Sequence, residues 1–301
     1  MPDGKEIQVG KAFARWALPP RKADGHKGDF GKAFLVGGSR AYTGAPYLMA
    51  ASAVCSGCGL VYLGIPGGIW ALEASRCVSA IPVALGDADA LTPDALPALK
   101  GQLEACDVLA LGPGLGRFDG VADVVWEILG ATPKPVVLDA DGINALDGHI
   151  DILAERRGRV TILTPHYGEF ARLLGNGLTP EDVAKGDHIA MATEFSVKYG
   201  CILVLKGHRT ITATPSGTAL VNTSGNSGLA KGGSGDVLTG LIASLLAQGA
   251  TPVQAAAGGV WIHGRAADFA ADTLTPYAMT PMDVISAFPP VFMELTETAE
   301  A

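Results

Sequence analysis

Asn226-Ser227-Gly228-Leu229-Ala230-Lys231-Gly232-Gly233-Ser234-Gly235-Asp236 is the stretch around which the rest of the chain is organised. Four of the eight residues from Gly228 to Gly235 are glycine, which holds neither a stable helix nor a stable strand. The run that follows does the opposite. Val237, Leu238, Leu241, Ile242, Leu245 and Leu246 recur at helical spacing, and Gly249 ends the pattern. A bare loop therefore feeds a helix N-terminus. Such a terminus offers an anion free N–H groups and the positive end of the helix dipole. Glycines let a phosphate approach the backbone, and Lys231 would add a point charge. Asp236 cuts against this, because a carboxylate repels an anion unless it has a task of its own. Two tasks fit: a helix N-cap, for which Asp is favoured, or a general base beside a transferring phosphoryl group.

The same alternation of apolar run and glycine or polar turn recurs upstream. Ala33–Val36 runs into Gly37-Gly38-Ser39, Leu60–Ile65 into Pro66-Gly67-Gly68, and Asp107–Leu111 into Gly112-Pro113-Gly114-Leu115-Gly116. Pro135–Leu138 runs into Asp139-Ala140-Asp141-Gly142-Ile143-Asn144, Val160–Leu163 into Thr164-Pro165-His166-Tyr167-Gly168-Glu169-Phe170, and Cys201–Leu205 into Lys206-Gly207-His208-Arg209-Thr210. Short continuous apolar runs are what strands covered on both faces look like. Helical patterns lie between them, at Val121–Leu129 and Pro180–Tyr199 and from about Gly44-Ala45-Pro46. The last is rich in small residues and is expected to pack very close to its neighbours. This alternation predicts a mostly parallel sheet with helices on both faces. Arg209–Ala213 and Thr218–Val221 predict an antiparallel hairpin at one edge. Residues 1–25 read as an arm with a short helix around Val9–Trp16, ended by Pro19-Pro20. Without a repeat or long linker, residues 1–301 read as one domain. In such sheets ligands bind at the carboxyl ends of the strands, so the motifs are expected to meet in one crevice.

Bulk composition narrows the function. The chain has 301 residues, 48% hydrophobic and 17% charged, enough for a large core. Glycine, at 40 residues, is nearly twice its usual share and signals tight turns and close backbone approaches. A net charge of −8 argues against nucleic-acid or acidic-membrane partners. Residues 41–72 carry no charge, but Pro46, Gly57, Gly59, Gly64 and Pro66 cut them into pieces too short to span a bilayer. The polar first ten residues do not form a signal peptide. The five cysteines read as reduced thiols of a cytosolic protein. Cys55-Ser56-Gly57-Cys58 lacks a second ligand pair and reads as small-residue filling on a packed helix.

Gly232–Asp236 resembles the anion-hole and base motif of the ribokinase-like superfamily. The longer string from Gly225 to Gly240 resembles one branch of it, the ADP- or ATP-dependent NAD(P)H-hydrate dehydratases. Gly112–Gly116, Asp139–Asn144, Thr164–Phe170, Lys206–Thr210, His26–Gly31 and Gly37–Ala45 are similar to further segments of that family, so the resemblance runs from about His26 to Pro281. It implies a ribokinase-like three-layer α/β/α sandwich. It also implies ADP-dependent dehydration of the (S)-hydrate of NADH or NADPH, giving AMP and phosphate. By the same resemblance Asp236 is the base, and Ala45, Gly114, Gly116 and His166 contact the hydrate. Lys206, Gly207, His208, Arg209 and Thr210 contact the nucleotide, together with Asn226, Lys231, Gly232, Gly233, Ser234 and Gly235. Asp139, Asp141 and Glu169 are implied to hold Mg²⁺ through water, although turn and cap chemistry explains such residues equally well. His166 resembles the bacterial ADP-using members. A homotetramer and a cytoplasmic setting are implied, and the epimerase domain that precedes this one in some members is not expected. Two other readings stay open: a ribokinase-like kinase of a small vitamin precursor, and a non-catalytic nucleotide-binding regulator, which would be expected to carry a neutral residue at position 236.

Overall fold

A computed structural model of the protein describes residues 6–297. The first five residues of the expected arm and the last four of the tail lie outside the described residues. Ten strands form one sheet: β1 Glu6–Val9, β2 Lys32–Val36, β3 Leu60–Pro66, β4 Ile81–Leu85, β5 Val108–Leu111, β6 Val136–Leu138, β7 Thr161–Leu163, β8 Ile202–Leu205, β9 Ile211–Ala213 and β10 Ala219–Asn222. Their order is β1-β10-β9-β8-β7-β6-β5-β2-β3-β4. Only β9 among them runs against its neighbours. All the others therefore deliver their carboxyl ends to one edge of the sheet.

Alternate strand residues serve two separate cores, as the two-residue period of a strand requires. Leu35, Val137, Ile162, Val204 and Leu220 face a core shared with the Gly44–Cys55, Ser234–Ala247 and Gly259–Ala278 helices. Phe34, Val36, Leu138, Leu163, Leu203 and Val221 face the other, shared with the Val121–Ala131, Tyr167–Leu174 and His188–Tyr199 helices. The expected three-layer α/β/α sandwich is the one observed.

The Ser234–Ala247 helix is buried nearly all round. At Gly240 it crosses the Gly44–Cys55 helix so closely that a Cβ would run into the Met49 carbonyl. Ser52 donates 2.6 Å across the same contact to the Val237 carbonyl. The small residues of the Gly44–Cys55 helix thus do the close packing expected of them. They fix where the anion loop begins.

Several expectations need correction. The N-terminal arm is no loose arm from Glu6 on: Glu6–Val9 pairs in parallel with β10, and the helix follows at Lys11–Ala17. The β9–β10 hairpin consequently lies one strand in from the edge. The helix expected over Pro180–Tyr199 is two, Pro180–Lys185 and His188–Tyr199. Asp187 caps the second by accepting from the Ile189 and Ala190 amides at 3.1 and 3.0 Å. Helix Gly67–Arg76 and edge strand β4 were not anticipated. Cys55 ends its helix exposed and Cys58 lies beyond it, bonded through Sγ to the Gly31 and Leu60 carbonyls, so neither fills a helix-packing position. No helix among the described residues is long and apolar enough to cross a membrane.

Candidate active site

The carboxyl ends of β6, β7, β8 and β10 meet the start of the Ser234–Ala247 helix around a cavity of about 850 Å³. Its lining includes Asp139, His166, Glu169, Lys206, Asn226 and the run from Lys231 to Asp236. The anion loop has the form expected. Gly233 takes a left-handed conformation, φ 94°, which a side chain would resist, and acts as the helix N-cap. No side chain caps this helix. Asp236 lies in its first turn and is not the cap, so one of the two tasks left open for it is gone.

What surrounds Asp236 decides its chemistry. Asp139 is buried beneath it, 1% exposed, and bonds Lys206 Nζ at 2.7 Å and Thr239 Oγ1 at 2.8 Å. Glu169 Oε2 lies 3.9 Å from the same ammonium. Burial by itself would raise the Asp139 carboxyl, but the Lys206 charge, with hydrogen bonds from Lys206, Thr164 and Thr239, holds it below the usual range. Lys206 is pushed up: burial opposes its charge, and Asp139, Glu169 and Asp236 outweigh burial. Asp236 itself is pushed up to about 6, chiefly by burial and then by the Asp139 charge, with Lys206 opposing. A base in that range is matched to work near neutral pH.

His166 has a second occupation. Its Nδ1 accepts from the Gly168 and Glu169 amides at 2.9 and 3.2 Å, while Glu169 Oε2 accepts from the His166 backbone N–H at 2.8 Å. The pair forms a capping box on the Tyr167–Leu174 helix, and the imidazole still lines the cavity. Its pKa is lowered, first by burial. Lys231 also lines the cavity, yet its ammonium donates to the Tyr277 and Met279 carbonyls at 2.7 and 2.6 Å. Gly207, His208 and Thr210 line the cavity; Arg209 is exposed outside that lining.

Ala45, Gly114 and Gly116 form a neighbouring cluster outside the lining. A Cβ on Gly114 would crowd Ala45 and Tyr42, at 2.9 Å from each Cβ. Asp141 Oδ2 accepts from the Gly116 amide at 2.8 Å and Oδ1 from Asn144 at 3.1 Å. Between Asp139 and Asp141 stands Ala140, at φ 48° and ψ −117°, a strained conformation for a residue with a Cβ. It lets consecutive acidic residues serve the two clusters. Each carboxylate of the expected Mg²⁺ set is thus already engaged by a protein donor. Among the described residues no cluster of three acidic, His or Cys side chains is spaced to hold a metal directly. The protein's own donors do not fit a resident Mg²⁺ ligand set.

Sequence reasoning missed a further part of the lining. Asn222, the last residue of β10, and Ser224, just past it, line it together with His263 from the Gly259–Ala278 helix. Asp268 on that helix accepts from the Gly225 amide and from Asn226 Nδ2, both at 3.0 Å, and Asn226 Oδ1 accepts from the Gly228 amide at 2.9 Å. Asn222 ends a strand and could have been suspected on that ground. His263 and Asp268 carry no such signal.

The sequence model of a family described as NAD(P)H-hydrate dehydratase matches residues 33–290. The chain is 41% identical over 291 residues to the bifunctional NAD(P)H-hydrate repair enzyme Nnr of Moorella thermoacetica, covering 96% of this chain and 54% of that one. It is 40% identical to the ADP-dependent (S)-NAD(P)H-hydrate dehydratase of Neisseria meningitidis, over 82% of this chain and 80% of that one. It thus spans about half the length of the bifunctional relatives it matches. Among solved structures, the ADP/ATP-dependent NAD(P)H-hydrate dehydratase of Bacillus subtilis, co-crystallised with ATP/Mg²⁺, superposes with a TM-score of 0.80 at 30% identity, covering 96% and 98% of the two chains. Matched over most of its length in sequence and in fold, the chain belongs to the NAD(P)H-hydrate dehydratase family and has its ribokinase-like architecture.

Proposed function

We propose that the protein dehydrates the hydrate of NADH or NADPH at the expense of ADP, returning NAD(P)H with AMP and phosphate. The observation that carries this reading is Asp236, a carboxyl raised to about 6 in the first turn of a helix that no side chain caps, inside a glycine-walled cavity. Hydroxide leaves the nicotinamide C6 poorly, and phosphate leaves well. Asp236 takes the C6 hydroxyl proton, and the oxygen attacks the terminal phosphoryl group of ADP, releasing AMP. The ring nitrogen then expels phosphate, and loss of the C5 proton restores the ring double bond. The first-turn amides and the helix dipole stabilise the charge on the phosphoryl group in transit. Mg²⁺ would come with the nucleotide's phosphates and help neutralise their charge; Asp139, Asp141 and Glu169 would hold it only through water, and no step here depends on it. In the same reading Ala45, Gly114, Gly116 and His166 face the hydrate, and Lys206 to Thr210 with the loop from Asn226 face the nucleotide. A cytosolic homotetramer is the setting the resemblance supports.

The test is direct. The protein is mixed with freshly hydrated NADPH and either ADP or ATP, and the absorbance band of the dihydronicotinamide is followed. Return of the band with ADP supports the proposal. Return with ATP alone corrects the co-substrate, and no return with either nucleotide overturns the activity.

A further inference from the structure

The anion loop is fastened to one helix at two points, by charges of opposite sign. At the loop's start, Asp268 of the Gly259–Ala278 helix holds the Gly225 amide and the Asn226 side chain. Further along, the loop's own Lys231 donates to the Tyr277 and Met279 carbonyls at 2.7 and 2.6 Å, at the C-terminal end of the same helix. A cation there meets the negative end of the helix dipole and carbonyls that no helical N–H reaches. The backbone that leads to these carbonyls is unusual. The helix is broken at Thr275, whose φ of 65° and ψ of 157° suit glycine and strain a residue with a Cβ, and Pro276 follows without an N–H to rebuild the turn. Such strain persists only where the surroundings hold it, and it gathers at clamps and binding sites. The stretch beyond the break packs against the loop. A Cβ on Gly228 would collide with Met279 Sδ, and one on Gly233 would come within 3.1 Å of Pro281 Cγ. Residues 229–233 belong to the cavity lining, whereas Tyr277, Met279 and Pro281 do not. The loop thus lies between the ligand space and a backing stretch, and its one ammonium is turned to the stretch.

We infer that Lys231 is a positioning residue: it clamps the anion loop to the stretch 277–281, so that the loop amides are already in place when a nucleotide phosphate arrives, and it is not itself the phosphate's ligand. This rests on the cavity taking a nucleotide, as proposed above. A ligand that must first order a slack loop loses affinity in doing so. Removal of the two charge-assisted bonds is expected to weaken ADP binding by roughly tenfold.

The experiment compares the full chain with Lys231→Met, which keeps an apolar stem and removes the charge. Lys231 is exposed, so the variant is expected to fold. Amide hydrogen exchange is followed by mass spectrometry without ligand, and ADP is titrated calorimetrically into each protein. In the free variant, exchange over residues 226–235 and 275–281 is expected to quicken several-fold while the central strands are unchanged. ADP is expected to bind the variant about tenfold more weakly. Weaker ADP binding with unchanged exchange in the free protein overturns the inference and makes Lys231 a direct phosphate ligand. Faster exchange with ADP affinity intact also overturns it, because the clamp then does nothing for the nucleotide. So does no change in either measurement. If the wild-type chain binds neither ADP nor ATP, the nucleotide reading falls and this inference with it. If wild type binds ADP and Lys231→Met binds it equally well, only this inference falls.

Discussion

The two walls of the cavity are built on different physics. One is charged: Asp139, Lys206, Glu169 and Asp236 crowd together, the Lys206 charge holds Asp139 low, and burial, with the Asp139 charge behind it, raises Asp236. The other is dipolar. Asn222 and Ser224 bond each other, a neutral His263 lines the same wall, and a single carboxylate, Asp268, ties down the loop at Gly225 and Asn226. The charged wall can shift protons because one of its members is poised between states. The dipolar wall can only shape and recognise. Chemistry and recognition can therefore be damaged separately.

The largest separation is expected at Asp236. Asp236→Asn should lower turnover by about 10²–10⁴-fold or more while leaving ADP affinity nearly intact. Wild-type kcat/KM should fall about tenfold per pH unit below about 6, the value to which the carboxyl is raised. Stability should move the other way. The folded carboxyl keeps its proton to a higher pH than the unfolded chain does. The resulting stabilisation is full below the ordinary value of 3.8 and is lost as pH rises through about 6. Asp236→Asn should thus melt at or above wild type near neutral pH, with the gap closing as the solution is acidified from about 6 towards 4. Near-wild-type turnover in this variant would remove Asp236 from the chemistry.

Lys206→Ala attacks the same wall through its counter-charge. It strands Asp139, which is 1% exposed, and breaking a buried pair costs about 3–5 kcal/mol. Urea unfolding measures the loss, and ADP affinity should fall with it. A change below about 1 kcal/mol would mean the pair behaves like a surface ion pair.

On the dipolar wall, Asp268→Ala releases the Gly225 amide and Asn226 together. The KM for ADP should rise about tenfold, the worth of roughly one charge-assisted hydrogen bond, with kcat and the acid limb near 6 unchanged. A fall in kcat without a rise in KM would mean the two walls are not independent.

The smallest effect is expected at His166. Its capping role makes His166→Ala cost about 0.5–2 kcal/mol of stability. Apparent affinity for the hydrate should drop only several-fold, with AMP affinity spared. An equal fall in both would leave His166 as a helix cap alone.

How far the sequence could be read follows from where each residue sits. Inner strands announce themselves because both faces are covered: Val-Leu-Ala-Leu of β5 is apolar throughout. The edges do not. Ile81–Leu85 is half-exposed and contains Pro82, which an edge strand tolerates, and Glu6–Val9 is four residues with mixed polarity. The site shows the same division. Motifs that interrupt the chain after a strand were legible, but they do not all meet in one crevice: those after β6, β7 and β8 and the loop from Asn226 line the cavity, whereas Gly37–Ser39, Pro66–Gly68 and Gly112–Gly116 lie outside its lining. His263 and Asp268 lie within a continuous helix, where nothing local distinguishes a wall residue from a packing one. Lys231 lines the cavity, as its place in the loop leads one to expect, but holds its ammonium elsewhere. Its charge and loop position suggest a phosphate contact, but only three-dimensional structure reveals the Tyr277 and Met279 carbonyls that hold it.

The outermost strand has a consequence for the order in which the molecule closes and opens. β1 joins residues 6–9 to residues 219–222, so its ladder can form only after most of the chain has been gathered. Long loop closures of this kind are made late and released early. The strand that β1 covers ends in Asn222, and Thr223 Oγ1 donates 2.7 Å to the Val9 carbonyl, so the last ladder to zip also steadies the root of the dipolar wall. A nucleotide seated against that wall should slow amide hydrogen exchange in Glu6–Val9, although the strand itself never touches it. Exchange there that is indifferent to ADP would make the edge merely a margin. Exchange that slows with ADP would make it the seam through which the pocket breathes.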